Sequence, residues 1–254
     1  MLFKTSVVAY LINKFDLAGK PGEVFVWVGC VLLCMAISYV LGSLNFGVIL
    51  SSLKYKDDIR THGSGNAGTT NMLRTYGKGA AAATLIGDML KAVVAMIAGY
   101  ALLPSQVQIG VDADGLPIIA APMYGAAIAG LFVVVGHIFP CFFHFKGGKG
   151  VASTLMVILM TNPIVFGIVI LIHGIIMFST KFVSLAAIMA MVLYPIILSS
   201  IETAIFGQPG LASATAVVLA VLVVFAHREN IQRLRAGNES KLSFKKKNKD
   251  ASDK

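Results

Sequence analysis

The sequence predicts an all-α, polytopic integral membrane protein with about seven transmembrane helices, its N-terminus outside and its C-terminus in the cytosol. Three observations carry that prediction. The 254 residues are 57% hydrophobic and only 13% charged, with a mean hydropathy of +0.81, a balance foreign to soluble domains of this size. Apolar runs recur near residues 24–53, 79–103, 117–143, 150–161, 163–180, 182–201 and 210–226. The connections between them alternate between ones that carry Lys/Arg and ones that carry none, as the positive-inside rule requires.

Residues 1–23 are an N-terminal extension, with an apolar run from Val7 to Ile12 followed by Lys14, Asp16, Lys20 and a Pro21-Gly22 break. No small-x-small cleavage site follows, so the segment reads as an interfacial helix or a loose extension rather than a signal peptide. The first span holds Gly42, Ser43 and Gly47, and the second opens on Ala80 to Ala83; small residues there permit close helix packing. The connection 54–78 between them carries Lys54, Lys56, Arg60, Arg74 and Lys78 against Asp57 and Asp58, which marks it as cytosolic. Asp88 and Lys91 lie three apart on one face of the second span. Charges at that depth cost ~2.5–3.5 kcal/mol each, so the two read as a structural pair.

The connection 104–116 has only Asp112 and Asp114, and 202–209 only Glu202, as outer loops should. Lys146 and Lys149 bring the chain back to the cytosol, Thr161-Asn162-Pro163 turns outside, and Lys181 returns. The run 150–161 is too short to cross a core of ~30 Å unaided, so it reads as a half-helix or as an oblique crossing packed against its neighbours. The charge alternation closes without a conflict when it is counted as a span, which supports counting it. His173 reads as a packing histidine, and Pro195 predicts a kink. The membrane domain extends over 24–240. Nine Lys/Arg and four Asp/Glu follow His227, supplying five of the nine net positive charges. The charge therefore belongs beside a membrane and is no nucleic-acid signal. Residues 241–254, with Lys245-Lys246-Lys247, read as a basic, disordered cytosolic tail. Cys30, Cys34 and Cys141 lack disulfide or metal-ligand spacing and read as packing residues.

Two glycine loops carry chemistry. In Gly136-His137-Ile138-Phe139-Pro140 and on through Phe145-Lys146-Gly147-Gly148-Lys149-Gly150-Val151-Ala152, glycines let backbone N–H groups approach an anion. The next helix adds its positive end and lysine a full charge. It is not the Walker loop, because Gly150 stands where Ser or Thr should hold a metal. The second loop runs through Gly63-Ser64-Gly65-Asn66-Ala67-Gly68-Thr69-Thr70-Asn71 to Arg74, offering N–H groups, hydroxyls and a guanidinium to one phosphate. Lys181-Phe182-Val183-Ser184 and His227-Arg228-Glu229-Asn230 fall on the same expected cytosolic face, so the four constellations read as one site.

With these residues assembled, the chain resembles the bacterial acyl-phosphate:glycerol-3-phosphate acyltransferases from about Val24 to Gly237. Gly42-Ser43, Gly63-Ser64-Gly65-Asn66, Thr70-Asn71, Leu73-Arg74, Asp88 with Lys91, Gly136-His137 with Pro140, the Phe145–Ala152 loop, Val183-Ser184-Leu185 and His227-Arg228-Glu229-Asn230 carry it. Thr69 and Phe182 depart from the usual small residue and tyrosine. The resemblance implies a multi-pass enzyme of the bacterial inner membrane whose site faces the cytosol. It implies transfer of a fatty acyl group from acyl phosphate to the 1-hydroxyl of sn-glycerol 3-phosphate. The products are lysophosphatidic acid and phosphate, in the first acylation step of phospholipid biosynthesis.

It implies Lys149, His227, Ser64 and Arg74 at the reaction centre. Ser184, Asn230, Asn66, Gly68, Thr70, Asn71, Lys146, Gly147 and Gly148 are implied as substrate-binding residues. No cofactor or metal is expected, and the enzyme that makes acyl phosphate is the expected upstream partner. No histidine has aspartate at the H-x-x-x-x-D spacing of soluble-type glycerolipid acyltransferases. The competing reading is a transporter of a phosphorylated metabolite, which would spread polar groups through the membrane depth. No internal repeat supports it.

Overall fold

The computed structural model describes residues 6–103, 108–111, 117–120 and 124–242. Asp112, Asp114 and Lys245-Lys246-Lys247 lie outside them. Helix α1 (Val7–Lys14) starts where the Ser6 hydroxyl accepts the Ala9 N–H. Its Val8 is buried, with Leu11 and Ile12 packed against the core, so this part of the extension is docked rather than loose.

Helix α2 (Pro21–Ser43) carries Pro21 at its first position, where a missing N–H costs nothing. The apolar run 24–53 is not one helix. It breaks at Leu44-Asn45, where Asn45 Oδ1 accepts the Val48 N–H and starts α3 (Phe46–Tyr55). Helices α4 (Thr69–Tyr76) and α5 (Lys78–Leu102) follow. A small antiparallel hairpin pairs β1 (Gln108–Val111) with β2 (Pro117–Ala120), so the third apolar run opens as a strand. Its described helical part is α6 (Tyr124–Ile138). Then come α7 (Val151–Thr161), α8 (Pro163–Thr180), α9 (Val183–Phe206), α10 (Leu211–Ala226) and α11 (Arg228–Arg235). Helix α9 runs through Pro195, and α11 turns 57° from α10 at His227.

Among the described residues, five helical segments are long and apolar enough to cross a membrane, or six if α10 and α11 count as one broken span. The eleven-residue α7 is apolar but shorter. Phe25, Leu32, Leu171, Phe178 and Val221 are exposed on the outside of the bundle, a surface that suits hydrocarbon.

Helices α2, α5 and α6 form the tightest layer, with α7 against α5 and α10 against α6. The small residues expected in the first span explain how. A Cβ on Gly42 would lie 2.2 Å from the Val133 carbonyl oxygen, and one on Gly136 2.3 Å from that of Tyr39. The expected Asp88–Lys91 pair forms at 3.0 Å. The Lys91 ammonium also donates to the carbonyls of Gly42 and Leu44, each at 2.9 Å, and to His137 Nδ1 at 2.8 Å. A buried cation therefore takes up carbonyls freed where α2 ends and ties α2, α5 and α6 together.

Candidate functional site

The loop before α4 is organised from inside by Asn71, which is 2% exposed. Its Oδ1 accepts the Ser64 N–H at 3.1 Å, and its Nδ2 is shared among the carbonyls of Ile59, His62 and Asn66 at 2.9–3.1 Å. Asn71 thus borders the site but spends its polar atoms on holding the loop. Arg60 grips Asp58 through Nε and Nη2, at 3.0 and 2.8 Å. That grip keeps the Asp58 carboxyl below its ordinary range. The third nitrogen, Nη1, reaches across to the carbonyls of Phe143 and Lys146 at 3.0 and 3.1 Å. One guanidinium fork joins both glycine loops.

The second loop folds differently from its reading as an anion cradle. The Gly147 N–H donates to the Ile138 carbonyl at 3.2 Å and the Gly148 N–H to the His137 carbonyl at 3.1 Å. Neither is left for a ligand. The glycines are required instead by close approach, because a Cβ on Gly148 would sit 2.1 Å from His137 Nε2 and one on Gly147 2.1 Å from the His137 oxygen. Lys146 is exposed and offers its carbonyl to Arg60. Lys146, Gly147 and Gly148 therefore do not line the site but hold Lys149 at its edge.

Lys149 lines a cavity of ≈ 740 Å³ together with Gly150, Val151 and Ala152 at the start of α7, where the helix end is positive. Ser64, Asn66, Gly68, Thr70, Asn71 and Arg74 line it too, as do Ser184, His227 and Asn230. Leu85, Leu155, Met177 and Ala187 supply an apolar share of the lining. His173, which reads from sequence as packing, borders the cavity, as do Asp88 and His137.

Among the polar lining residues, the Lys149 ammonium donates to Asn230 Oδ1. Burial, reinforced by the Arg233 charge, pushes the Lys149 pKa down to about 8. His227 donates Nδ1–H to the Val223 carbonyl at 2.7 Å, which leaves Nε2 as the ring nitrogen available to a ligand. Ser184 and Asn230 are 7% and 4% exposed, and both donate to Glu239 Oε1, at 2.8 and 2.7 Å. Arg233 Nε donates to Glu239 Oε2 at 2.8 Å. Burial alone would raise the Glu239 pKa, but these three hydrogen bonds outweigh it and leave the carboxyl below its usual range.

Arg233 and Glu239 border the cavity and were missed from sequence. Arg233 lies one turn from Asn230 on a helix whose register could have placed it. Glu239 follows a helix-ending Gly237 inside a basic segment, a weak signal. Among the described residues, no three His, Cys, Asp or Glu side chains gather as a metal site.

Residues 32–237 match the sequence model of a family described as glycerol-3-phosphate acyltransferase. A protein of that name from Neisseria meningitidis serogroup B is 41% identical over 209 residues, covering 82% of this chain and 95% of the relative. One from Alkaliphilus metalliredigens is 38% identical over 216 residues, covering 84% and 97%. The fold is similar to the crystal structure of PlsY (YgiH), an integral membrane glycerol 3-phosphate acyltransferase. Its glycerol 3-phosphate form has a TM-score of 0.69 and 32% identity, covering 84% of this chain and 96% of that one. Its lysophosphatidic acid form has a TM-score of 0.67 and 31% identity.

Proposed function

This chain belongs to the glycerol-3-phosphate acyltransferase family and is an integral membrane acyltransferase of glycerol 3-phosphate; from that premise we propose that its donor is an acyl phosphate and that both substrates meet in the cavity between the two glycine loops. The carrying observation is the cavity's mixed lining. Lys149, Arg74 and the start of α7 line it together with Leu85, Leu155, Met177 and Ala187. Such a lining offers charge to a phosphate and apolar surface to an acyl chain. The transporter reading is set aside by the family.

The acyl phosphate is already activated, so the protein's work is alignment and stabilisation of developing negative charge. The 1-hydroxyl oxygen of glycerol 3-phosphate attacks the acyl carbonyl carbon, and the carbonyl carbon–phosphate oxygen bond breaks. The hydroxyl proton passes to the departing phosphate, giving lysophosphatidic acid and inorganic phosphate. Lys149 and Arg74 balance phosphate charge, Ser64, Ser184 and Asn230 orient by hydrogen bonds, and the α4 start at Gly68 and Thr70 borders the acyl-phosphate group. His227 positions the glycerol through Nε2. The site faces the cytosol of a bacterial inner membrane, with α7 counted as the seventh span and the N-terminus outside. The enzyme that makes acyl phosphate supplies the donor.

The test is phosphate release by purified, detergent-solubilised protein given palmitoyl phosphate, with and without glycerol 3-phosphate, and with palmitoyl-CoA as control donor. Release that needs glycerol 3-phosphate, with lysophosphatidic acid formed only from the acyl phosphate, is the expected result. Product from palmitoyl-CoA alone would overturn the donor assignment.

A further inference from the structure

We propose that Glu239 is a positioning residue of the glycerol 3-phosphate site: its carboxylate fixes the Asn230 amide and, through that amide, aims the Lys149 ammonium into the cavity. The inference rests on the acyltransferase reading and extends it to a residue two positions beyond the family-matched segment 32–237.

The chain delivers this carboxylate deliberately. After α11, Gly237 takes a left-handed φ of 71°, and the Asn238 N–H donates back to the Arg233 carbonyl at 2.8 Å. Residues 237–242 then run as a strap towards α9, where the Leu242 N–H donates to the Lys181 carbonyl at 2.7 Å and the Lys241 ammonium lies 5.5 Å from the Phe182 ring centre. Held at both ends, the strap buries the Glu239 side chain to 7% exposure.

An amide has a donor end and an acceptor end, so its two neighbours decide its sense. Asn230 has a carboxylate on one side and an ammonium on the other. With Nδ2 donating to Glu239 Oε1 and Oδ1 accepting from Lys149, both contacts are attractive. Turned over, the amide would set oxygen against carboxylate and NH₂ against ammonium. Glu239 therefore locks one orientation, and Ser184, on the same Oε1, is locked with it. A carboxylate so near a phosphate site is a poor phosphate contact, which leaves orientation and charge as its work. Arg233, Glu239, Glu229 and Arg74 all act on the Lys149 charge, and His227 lies beside it.

The test compares purified wild-type, Glu239→Gln and Glu239→Asp proteins, each checked for monodispersity in detergent, by the KM for glycerol 3-phosphate across pH 6–10 with palmitoyl phosphate saturating. Gln keeps an acceptor but loses the charge. Its KM should rise about tenfold or more, and the alkaline limb of its pH profile should move to lower pH. Asp keeps the charge on a shorter arm, so its KM should rise with the limb unmoved. A merely structural carboxylate would lower the yield of active enzyme and leave KM and limb alone. A monodisperse Gln variant with wild-type KM and limb overturns the proposal. If the Gln variant is not monodisperse, a wild-type KM in the Asp variant overturns it instead. Wild-type protein without glycerol 3-phosphate-dependent release overturns the acyltransferase reading itself, and this inference with it.

Discussion

Lys149 and Asn230 stand 81 residues apart in the chain, yet the ammonium of one donates directly to the amide oxygen of the other. Helix α11 meets the start of α7 at that contact, and the lysine charge is held there at the expense of its hydration.

Lys149→Met should therefore separate activity from stability. Loss of the charge facing phosphate should lower kcat/KM by about 10²–10³-fold. Thermal unfolding in detergent should stay level or move upward, because burial already disfavours the charged form. A Met variant with near-normal turnover would remove Lys149 from the site.

The pH dependence follows from the same group. Its pKa of about 8 lies below the ordinary 10.5. The KM for glycerol 3-phosphate should rise above pH 8, approaching tenfold per pH unit, as the ammonium is lost. Between about 8 and 10.5 the unfolded chain binds more protons than the folded one, so this group's contribution makes stability increase with pH across that window. Lys149→Arg, charged throughout, should flatten the alkaline rise in KM.

Gly148→Ala should cripple the enzyme without touching substrate. Its Cβ meets the buried His137 ring at 2.1 Å, so the Lys149 loop must shift, and a displacement near 1 Å costs about 100-fold in rate. Gly79→Ala, with nothing within 4 Å, should keep full activity. Wild-type kinetics in the Gly148 variant would show that the loop has room.

Arg60→Leu should unfasten the two glycine loops from each other. Charge-assisted bonds to the Phe143 and Lys146 carbonyls disappear, at ~1.5–3 kcal/mol, and KM for glycerol 3-phosphate should rise. Arg60→Lys should rescue little, since a point charge cannot span Asp58 and two carbonyls at once. Full recovery in the Lys variant would contradict the fork geometry.

Much of this was legible because membrane chemistry writes itself locally. Apolar length announced a helical membrane bundle, of which five or six spans stand among the described residues against the seven expected, and Ser64, Arg74, Lys149, Ser184, His227 and Asn230 all border one cavity. What escaped was decided by distant partners. The break at Leu44-Asn45 has one local mark, the capping Asn45 inside a long apolar run, but the carbonyls it opens are taken up by Lys91 from another helix. Gly147 and Gly148 have the composition of an anion nest, but their N–H groups go to α6. Lys146 looked like a ligand charge and serves through its backbone. Glu239 carries a sign opposite to the one a phosphate site calls for, so no local rule singled it out.

The seam between α2 and α6 also divides the protein's mutational freedom. At Gly42 and Gly136 even a methyl group would strike backbone, whereas Phe25, Leu32, Leu33 and Val40 on the same α2 stand exposed. Random libraries should therefore return variants spread over one side of that helix and an almost unvarying stripe along the other.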